Sequence, residues 1–224
     1  MKTITKTYNI YNFDELKEDI QKEVIEKEKE IQQEDYCNIQ LNDDMNLKAE
    51  KLLKEYFNIE NAIDYVYYDL SYSQGSGSMI EFTINIEDLN NKYHIYNDEE
   101  IRLIKDKGIV NNIKIYHNDN YYYHEYTFSI KYDDDFGYYD FEDIMDDYNI
   151  NEEDFNKMQD KLIDLLDTYN KHYTKSQFIE DIISMNKQLT KYGYECIEYW
   201  WNNENVIEYC KEHKYYENGD IYEY

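Results

Sequence analysis

The sequence contains no proline, only one arginine (Arg102), two alanines and three cysteines in its 224 residues. An odd number of widely separated cysteines argues against a disulfide framework and is typical of a protein in a reducing compartment. No apolar run approaches the about 18 residues of a membrane span, and residues 1–10 lack the basic and then apolar pattern of a signal peptide. We therefore expect a cytoplasmic protein with no membrane partner.

Positive charge is scarce as well. Lysine and arginine total 23 against 50 aspartates and glutamates, which gives a formal net charge of −27. A chain this acidic is not expected to bind nucleic acid directly, because phosphate binding needs cations that release counterions. The codons of an AT-rich genome explain the missing proline and much of the tyrosine, but they favour lysine as strongly as glutamate. Since an excess of like charge destabilises a compact fold, the acidity indicates a function.

Two periodicities alternate along the chain and predict an α+β fold, with a central antiparallel sheet, amphipathic helices and a helical C-terminal portion. Helical spacing of apolar residues predicts helices over 13–31, 44–57, 155–169, 178–189 and 203–212, with a helical or irregular section over 88–107. Alternation predicts strands over 3–11, 63–72, 79–86, 109–117 and 121–132. Asn12 and Glu15 are spaced as a capping box, and Asn218-Gly219 predicts a closing hairpin. We expect an α+β domain over 1–138 and a mainly helical subdomain over 139–224, or one continuous domain.

Four short motifs stand out, namely the segment 11–16, the turn Ser73-Gln74-Gly75-Ser76-Gly77, the strand His124-Glu125-Tyr126 and the closing segment 216–219. In these motifs the chain resembles a family of small acidic proteins of unassigned function encoded by tailed phages and prophages. In that family the turn more often reads Ser-Gln-Gly-Asp-Gly, so Ser76 replaces an acid here. The resemblance covers residues 8–132 and the tail. It implies a phage or mobile-element gene expressed in a bacterial cytoplasm, and it implies no activity.

Glycines and histidines near two predicted turns are the first candidates for chemistry. Gly75 and Gly77 are spaced to cradle an anion, but no lysine or helix follows them, and a plain hairpin turn is the better interpretation. His117, His124 and Glu125 flank a predicted hairpin at 118–120. His124 is expected to share a strand face with Tyr122, Tyr126 and Phe128, while Glu125 points the other way. No third metal ligand follows at a fixed helical spacing, so the hairpin does not predict a zinc site.

Two further patterns are incomplete. A tetrahedral metal site is not predicted by Cys196, Cys210 and His213. The sequence leaves a nucleophilic Cys–His pair as an open alternative. The acids that begin at Asp133 do not fit the calcium-binding loop of an EF-hand. That loop needs an acid in its first position and a glycine in its sixth, and placing Gly137 sixth puts Tyr132 first. We therefore expect a protein that is not an enzyme and holds no cofactor or metal.

The strongest feature is a run of acids from residue 133 to residue 154 that contains no lysine or arginine. Its eleven carboxylates belong to Asp133, Asp134, Asp135, Asp140, Glu142, Asp143, Asp146, Asp147, Glu152, Glu153 and Asp154. Duplex DNA carries one negative charge per about 1.7 Å of its axis, and a helix with an acid at every second position has a comparable density. Interleaved aromatic residues, Tyr138 and Tyr139 among them, are of the kind enriched at interface hot spots. A merely solvated acidic face is the alternative.

These observations favour a non-enzymatic phage anti-defence protein of the anti-CRISPR or antirestriction type, to which the chain is similar in charge and size. The acidic run, with Tyr138 and Tyr139, would occupy the nucleic-acid groove of a basic host protein such as a CRISPR effector or a restriction enzyme. A phage regulatory adaptor and a metal-dependent enzyme built on the His117/His124 hairpin are the alternatives. The sequence leaves the target, the stoichiometry and the oligomeric state open.

Overall fold

The structure, a computed structural model, describes residues 7–106, 111–118, 121–132, 152–166 and 176–222. The chain divides into two compact units, one formed by residues 1–44 with 193–224 and the other by residues 45–192. The predicted α+β class is confirmed, because an antiparallel sheet and amphipathic helices are both present. Within the described ranges, no helix has the length and apolar character needed to cross a membrane.

The unit built from both chain ends centres on a short antiparallel ladder. Strand β1 (Tyr11–Asn12) pairs with β6 (Lys214–Tyr215), and helices α1 (Glu18–Asp35) and α7 (Asn203–Lys211) belong to the same unit. A small core joins side chains from both ends of the chain, namely Phe13, Leu16, Val24, Val206, Cys210 and Tyr215. The unit therefore depends on a pairing of residues about 200 positions apart, which no local periodicity specifies.

The N-terminal elements differ in extent from those predicted. The capping box is confirmed, since the Asn12 backbone N–H donates to Glu15 Oε2 at 2.8 Å, but it caps a 3-10 turn at Phe13–Glu15 and α1 begins only at Glu18. In the described part of the predicted strand 3–11, only Tyr11 is in a ladder. A one-turn π-helical segment, Tyr36–Gln40, leads from α1 directly into α2 (Leu41–Phe57). Residues 32–43 contain no proline or glycine, so nothing there stops the helix.

The larger unit contains a four-stranded antiparallel sheet in the order β2-β3-β4-β5. Its strands are β2 (Ile63–Asp69), β3 (Gly77–Asn85), β4 (Asn112–His117) and β5 (Phe128–Tyr132). The described helices around it are α3 (Ile86–Tyr93), α4 (Asp98–Asp106), α5 (Glu152–Leu166) and α6 (Gln177–Trp201), which continues into the other unit. Two of these helices have an asparagine N-cap, which is Asn85 for α3 and Asn97 for α4.

One face of the sheet is buried beneath helices, and we call it the covered face. It carries Val66, Ile80, Phe82, Ile84, Ile113 and Ile115. The Phe57 ring of α2 lies 5.3 Å from that of Phe82 and 5.8 Å from that of Phe178 on α6. Asn186 of α6 accepts the Ile80 backbone N–H through Oδ1 at 3.1 Å, so a side chain completes the ladder at this point.

Two predictions about the second half of the chain need correction. The strand expected over 121–132 begins only at Phe128, because residues 121–127 turn back on themselves and the Thr127 N–H donates to the His124 carbonyl at 2.9 Å. The predicted alternation of His124 with Tyr122, Tyr126 and Phe128 on one strand face is therefore wrong. The expected domain boundary at 138/139 lies outside the described residues and stays a prediction, while the division into units places β1 and the C-terminal β6 together.

Candidate functional site

Most of the predicted acidic interface lies outside the described residues. This applies to Asp133, Asp134, Asp135, Tyr138, Tyr139, Asp140, Glu142, Asp143, Asp146 and Asp147. The run re-enters the described chain at Glu152, the first residue of α5. Glu153 and Asp154 are exposed there and lie 2.8 Å and 3.5 Å from the Lys157 ammonium. One lysine placed just after the run therefore meets its last two acids.

The glycine-rich turn joins β2 to β3, so the interpretation as a hairpin turn is confirmed. Gly75 has a φ of +90°, and a Cβ atom built there would lie 1.9 Å from the Tyr122 ring. A Cβ atom at Gly77 would lie 2.6 Å from the Tyr123 carbonyl oxygen. The Tyr123 N–H donates to the Gly75 carbonyl at 3.0 Å. The two glycines thus allow the connection 121–127 to pack closely on the turn.

The second face of the sheet, which we call the open face, carries a polar network. The exposed or half-buried side chains on it include Tyr65, Glu81, Thr83, Lys114 and Lys131. Lys114 lies 2.8 Å from Glu81 Oε1 and 3.1 Å from Asp64 Oδ2. Hydrogen bonds to these two carboxylates raise the pKa of the Lys114 ammonium above its ordinary value. One cation on this face is therefore shared by two acids.

A β-bulge places Asp64 on the open face. Ile63 pairs with Phe82 and Tyr65 pairs with Glu81, so Asp64 is an extra residue without a partner in β3. The Thr83 hydroxyl donates to Asp64 Oδ2 at 3.2 Å. Because Thr83 is itself paired with Lys114, the bulge sends the consecutive side chains of Asp64 and Tyr65 to the same face. A regular strand would have sent them to opposite faces.

Four aromatic rings line up beside this network. The Tyr67 ring lies 4.5 Å from Tyr65, 4.6 Å from His117 and 6.0 Å from Tyr123, to which it is parallel within 8°. Burial, and then the charge and hydrogen bond of Glu81, raise the pKa of the Tyr67 hydroxyl. His117 Nε2 lies 2.9 Å from the Tyr122 carbonyl oxygen, so this nitrogen carries the proton and donates it. The array ends in the exposed ring of Tyr65.

The other predicted histidine and cysteine sites are not assembled in the described chain. Glu125 faces α6, where it lies 3.7 Å from Lys187, and the His124 ring lies beside those of Tyr122 and Tyr126. In the described ranges, no three histidine, cysteine, aspartate or glutamate side chains are placed to hold a metal ion.

Cys210 is a core residue rather than an exposed nucleophile. Its thiol is fully buried, and burial raises its pKa. His213 Nδ1 lies 3.0 Å from the Tyr209 carbonyl oxygen, and its ring packs 4.5 Å from the Tyr209 ring. Cys196, on α6, makes a hydrogen bond with the hydroxyl of Tyr36. Each of these three side chains, Cys196, Cys210 and His213, thus has other contacts, and they do not form a Cys–His pair.

A shallow cleft of about 630 Å³ lies at the chain ends. It is lined by Thr7, Tyr8, Asn9, Tyr216, Glu217, Asn218 and Asp220. Its Asp220 carboxylate already faces Lys27, at 3.6 Å, and accepts a hydrogen bond from Asn218 at 2.7 Å. The charge of Asp220 is thus partly compensated, while Glu217 adds a second carboxylate to the lining.

Sequence reasoning missed the association of Asp64 and Glu81 with Lys114, because it depends on the bulge and on the cross-strand register. The usable signal was the alternation that predicts a strand over 63–72, because residues two apart in a strand, such as Tyr65 and Tyr67, lie on one face. The register of β2 with β3 confirms this placement. Comparison of the chain with protein-family models, with curated proteins and with solved structures found no match.

Proposed function

We propose that this protein is a non-enzymatic anti-defence protein that binds a basic, nucleic-acid-binding host protein and competes with its nucleic acid. In this proposal it is a phage-type product acting in a bacterial cytoplasm. The observation that carries the proposal is the net charge of −27 together with eleven acids between Asp133 and Asp154. Long-range attraction by such a charge speeds the encounter with a basic partner, and pairing with its lysines and arginines imitates a phosphate track.

The positions of the lysines support this proposal. Lysines in the described chain form ion pairs with its own acids, as Lys92 does with Asp181 at 2.6 Å and Lys161 with Glu100 at 2.7 Å. Since these lysines are already engaged and the acids outnumber lysine and arginine by 27, the unmatched charge is negative. A partner with a positive groove would neutralise this charge on binding.

The test is capture of a partner from a bacterial lysate, followed by release with salt and identification by mass spectrometry. The recovered partner is then bound to the parent protein and to a variant in which Asp140, Asp143, Asp146 and Asp147 are changed to asparagine. We expect the variant to bind at least tenfold more weakly and with a flatter salt dependence, because close charge pairs at an interface are each worth about 1.5 kcal/mol or more.

A matched control removes the same charge elsewhere. Four exposed acids of α1 are changed to glutamine in the control variant, namely Glu18, Glu23, Glu26 and Glu30. We expect this variant to retain most of the affinity. Equal losses in both variants would show that net charge alone attracts the partner, and unchanged binding in the first variant would place the interface elsewhere.

A further inference from the structure

The outer edge of the open face joins an exposed ring to a carboxylate that is only partly engaged. The Tyr65 side chain is 59% exposed, and the adjacent Asp64 lies on the same face because of the bulge. Both contacts that the described residues make with the Asp64 carboxylate, from Lys114 and from Thr83, reach Oδ2. With respect to the described residues, Oδ1 therefore keeps its capacity to accept a hydrogen bond.

Charge is distributed unevenly across this face. Asp64 lies on β2 and Glu81 on β3, and the ammonium of Lys114 reaches both carboxylates from β4, so two acids share one base here. Lys131 lies on β5, at the opposite edge of the sheet, over the ring of Tyr116. The half near β2 thus has a net negative charge beside the rings of Tyr65 and Tyr67.

An exposed aromatic ring beside a carboxylate, as in Tyr65 and Asp64, fits a planar cation better than a compact one. A guanidinium group stacks on an aromatic face and donates several hydrogen bonds in a flat fork, whereas an ammonium group is a strongly hydrated point charge. A cation stacked on Tyr65 would have the Asp64 carboxylate within the same surface. An arginine side chain is therefore the group in a protein partner that uses both features.

We propose that Asp64, Tyr65 and Tyr67 form a binding surface for an arginine side chain presented by a basic protein. The proposal rests on the proposed function for the existence of such a partner and adds a contact that does not involve the acidic run. The Glu81–Lys114 pair holds the surface in place, and the ring of Tyr67, packed between those of Tyr65 and His117, supports the outer ring. The acidic run would then attract the partner while this surface selects arginine over lysine.

The test uses blocked peptides of alternating glycine with arginine, lysine or uncharged citrulline, titrated calorimetrically into the full-length protein at physiological salt. We expect the arginine peptide to bind at least threefold more tightly than the lysine peptide of equal charge, and the citrulline peptide to bind most weakly. Tyr65→Leu should remove the preference for arginine while leaving the lysine affinity unchanged. Asp64→Asn, which keeps the ring, should reduce the same preference and so supports the assignment if Tyr65→Leu fails to fold.

The matched control is Tyr199→Leu, because Tyr199 is 51% exposed and belongs to the other unit. This variant should keep the preference for arginine. Equal affinities for the arginine and lysine peptides, or a preference that survives both Tyr65→Leu and Asp64→Asn, would overturn the proposal.

The peptide experiment also separates this proposal from the proposed function. A preference for arginine in a protein that captures no basic partner would refute the proposed function and leave the binding surface intact. A captured partner that binds Tyr65→Leu and Asp64→Asn as tightly as the parent would refute the surface and leave the proposed function intact.

Discussion

The two faces of the four-stranded sheet differ in what they contribute. The covered face is apolar and buried, and the rings of Phe57 and Phe178 extend its core into α2 and α6. The open face is polar, and Lys114 bridges two carboxylates on it while Tyr65 remains exposed. Because burial of apolar area dominates folding energetics, the covered face holds the unit together. The open face can then carry binding groups at little cost to stability.

The largest loss of stability is expected from a cavity in the covered face. Phe82 is fully buried, and its replacement by alanine removes contacts with the Phe57 ring. We expect Phe82→Ala to lower the free energy of unfolding by about 3–5 kcal/mol, as measured by denaturant titration. A loss below about 1 kcal/mol would contradict the assignment of stability to this face.

A smaller effect is expected where a side chain completes the β3 ladder. Asn186 is fully buried and accepts the Ile80 N–H, and its Nδ2 atom has no partner within the described part of the chain. Asn186→Ala leaves the Ile80 N–H unpaired, so we expect a loss of about 1–3 kcal/mol. The control is Gln188→Ala, an exposed amide two residues further along α6, which should cost less than half as much. Equal costs would mean that the Ile80 bond adds nothing.

Because tyrosines are buried in this fold, its stability is expected to depend on pH in the alkaline range. Tyr96 is buried, and burial followed by the charge of Glu100 raises the pKa of its hydroxyl above the ordinary value of 10.0. Because the pKa is raised in the folded state, the unfolded chain loses the proton first as the pH rises. The contribution of the protonated Tyr96 hydroxyl to the free energy of unfolding is therefore fully present below pH 10 and is lost at higher pH.

The expected loss from Tyr96 alone is about 1 kcal/mol between pH 10 and pH 11. It is measured by denaturant unfolding of the parent and of Tyr96→Phe, which keeps the ring but cannot ionise. Over this pH range the stability of the variant should fall by about 1 kcal/mol less than that of the parent. Parallel pH profiles would show that Tyr96 ionises freely in the folded protein.

The smallest effect is expected on the open face. Tyr65 is exposed and no helix of the described chain contributes to its ring contacts, so Tyr65→Leu should change the free energy of unfolding by less than about 0.5 kcal/mol. The thermal or denaturant midpoint measures this directly. A destabilisation comparable with that of Phe82→Ala would show that both faces support the fold, and the comparison would fail.

Local patterns predicted much of this fold. The spacing of Phe13, Leu16, Ile20, Val24 and Ile31 predicted one buried stripe. Phe13, Leu16 and Val24 are buried, but Ile20 is half-buried and Ile31 is exposed. Alternation identified β2 to β5. The continuous helix through residue 40 was missed, because π-helical continuation has no breaker residue to mark it. Residues 121–127 were mistaken for strand because their tyrosines favour strands. Their conformation is instead fixed by hydrogen bonds from Thr127 to the His124 carbonyl and from the Tyr123 N–H to the Gly75 carbonyl.

The candidate site was less predictable than the fold. The acids from Asp133 to Asp154 can be read directly from the sequence, and their role stays a prediction because Asp133 to residue 151 lie outside the described chain. The open-face network requires a bulge at Asp64 and the register that pairs Thr83 with Lys114. Both are products of strand pairing over distance, which a single sequence does not specify.

Displacement of nucleic acid from the captured partner tests the central claim most directly. The partner is first bound to a fluorescently labelled nucleic acid, and the protein is then added while the anisotropy of the label is followed. Our account predicts stoichiometric release by the parent and little release by the variant with asparagine at positions 140, 143, 146 and 147. A stable complex in which the partner holds the protein and the nucleic acid together, with unchanged anisotropy, would contradict mimicry.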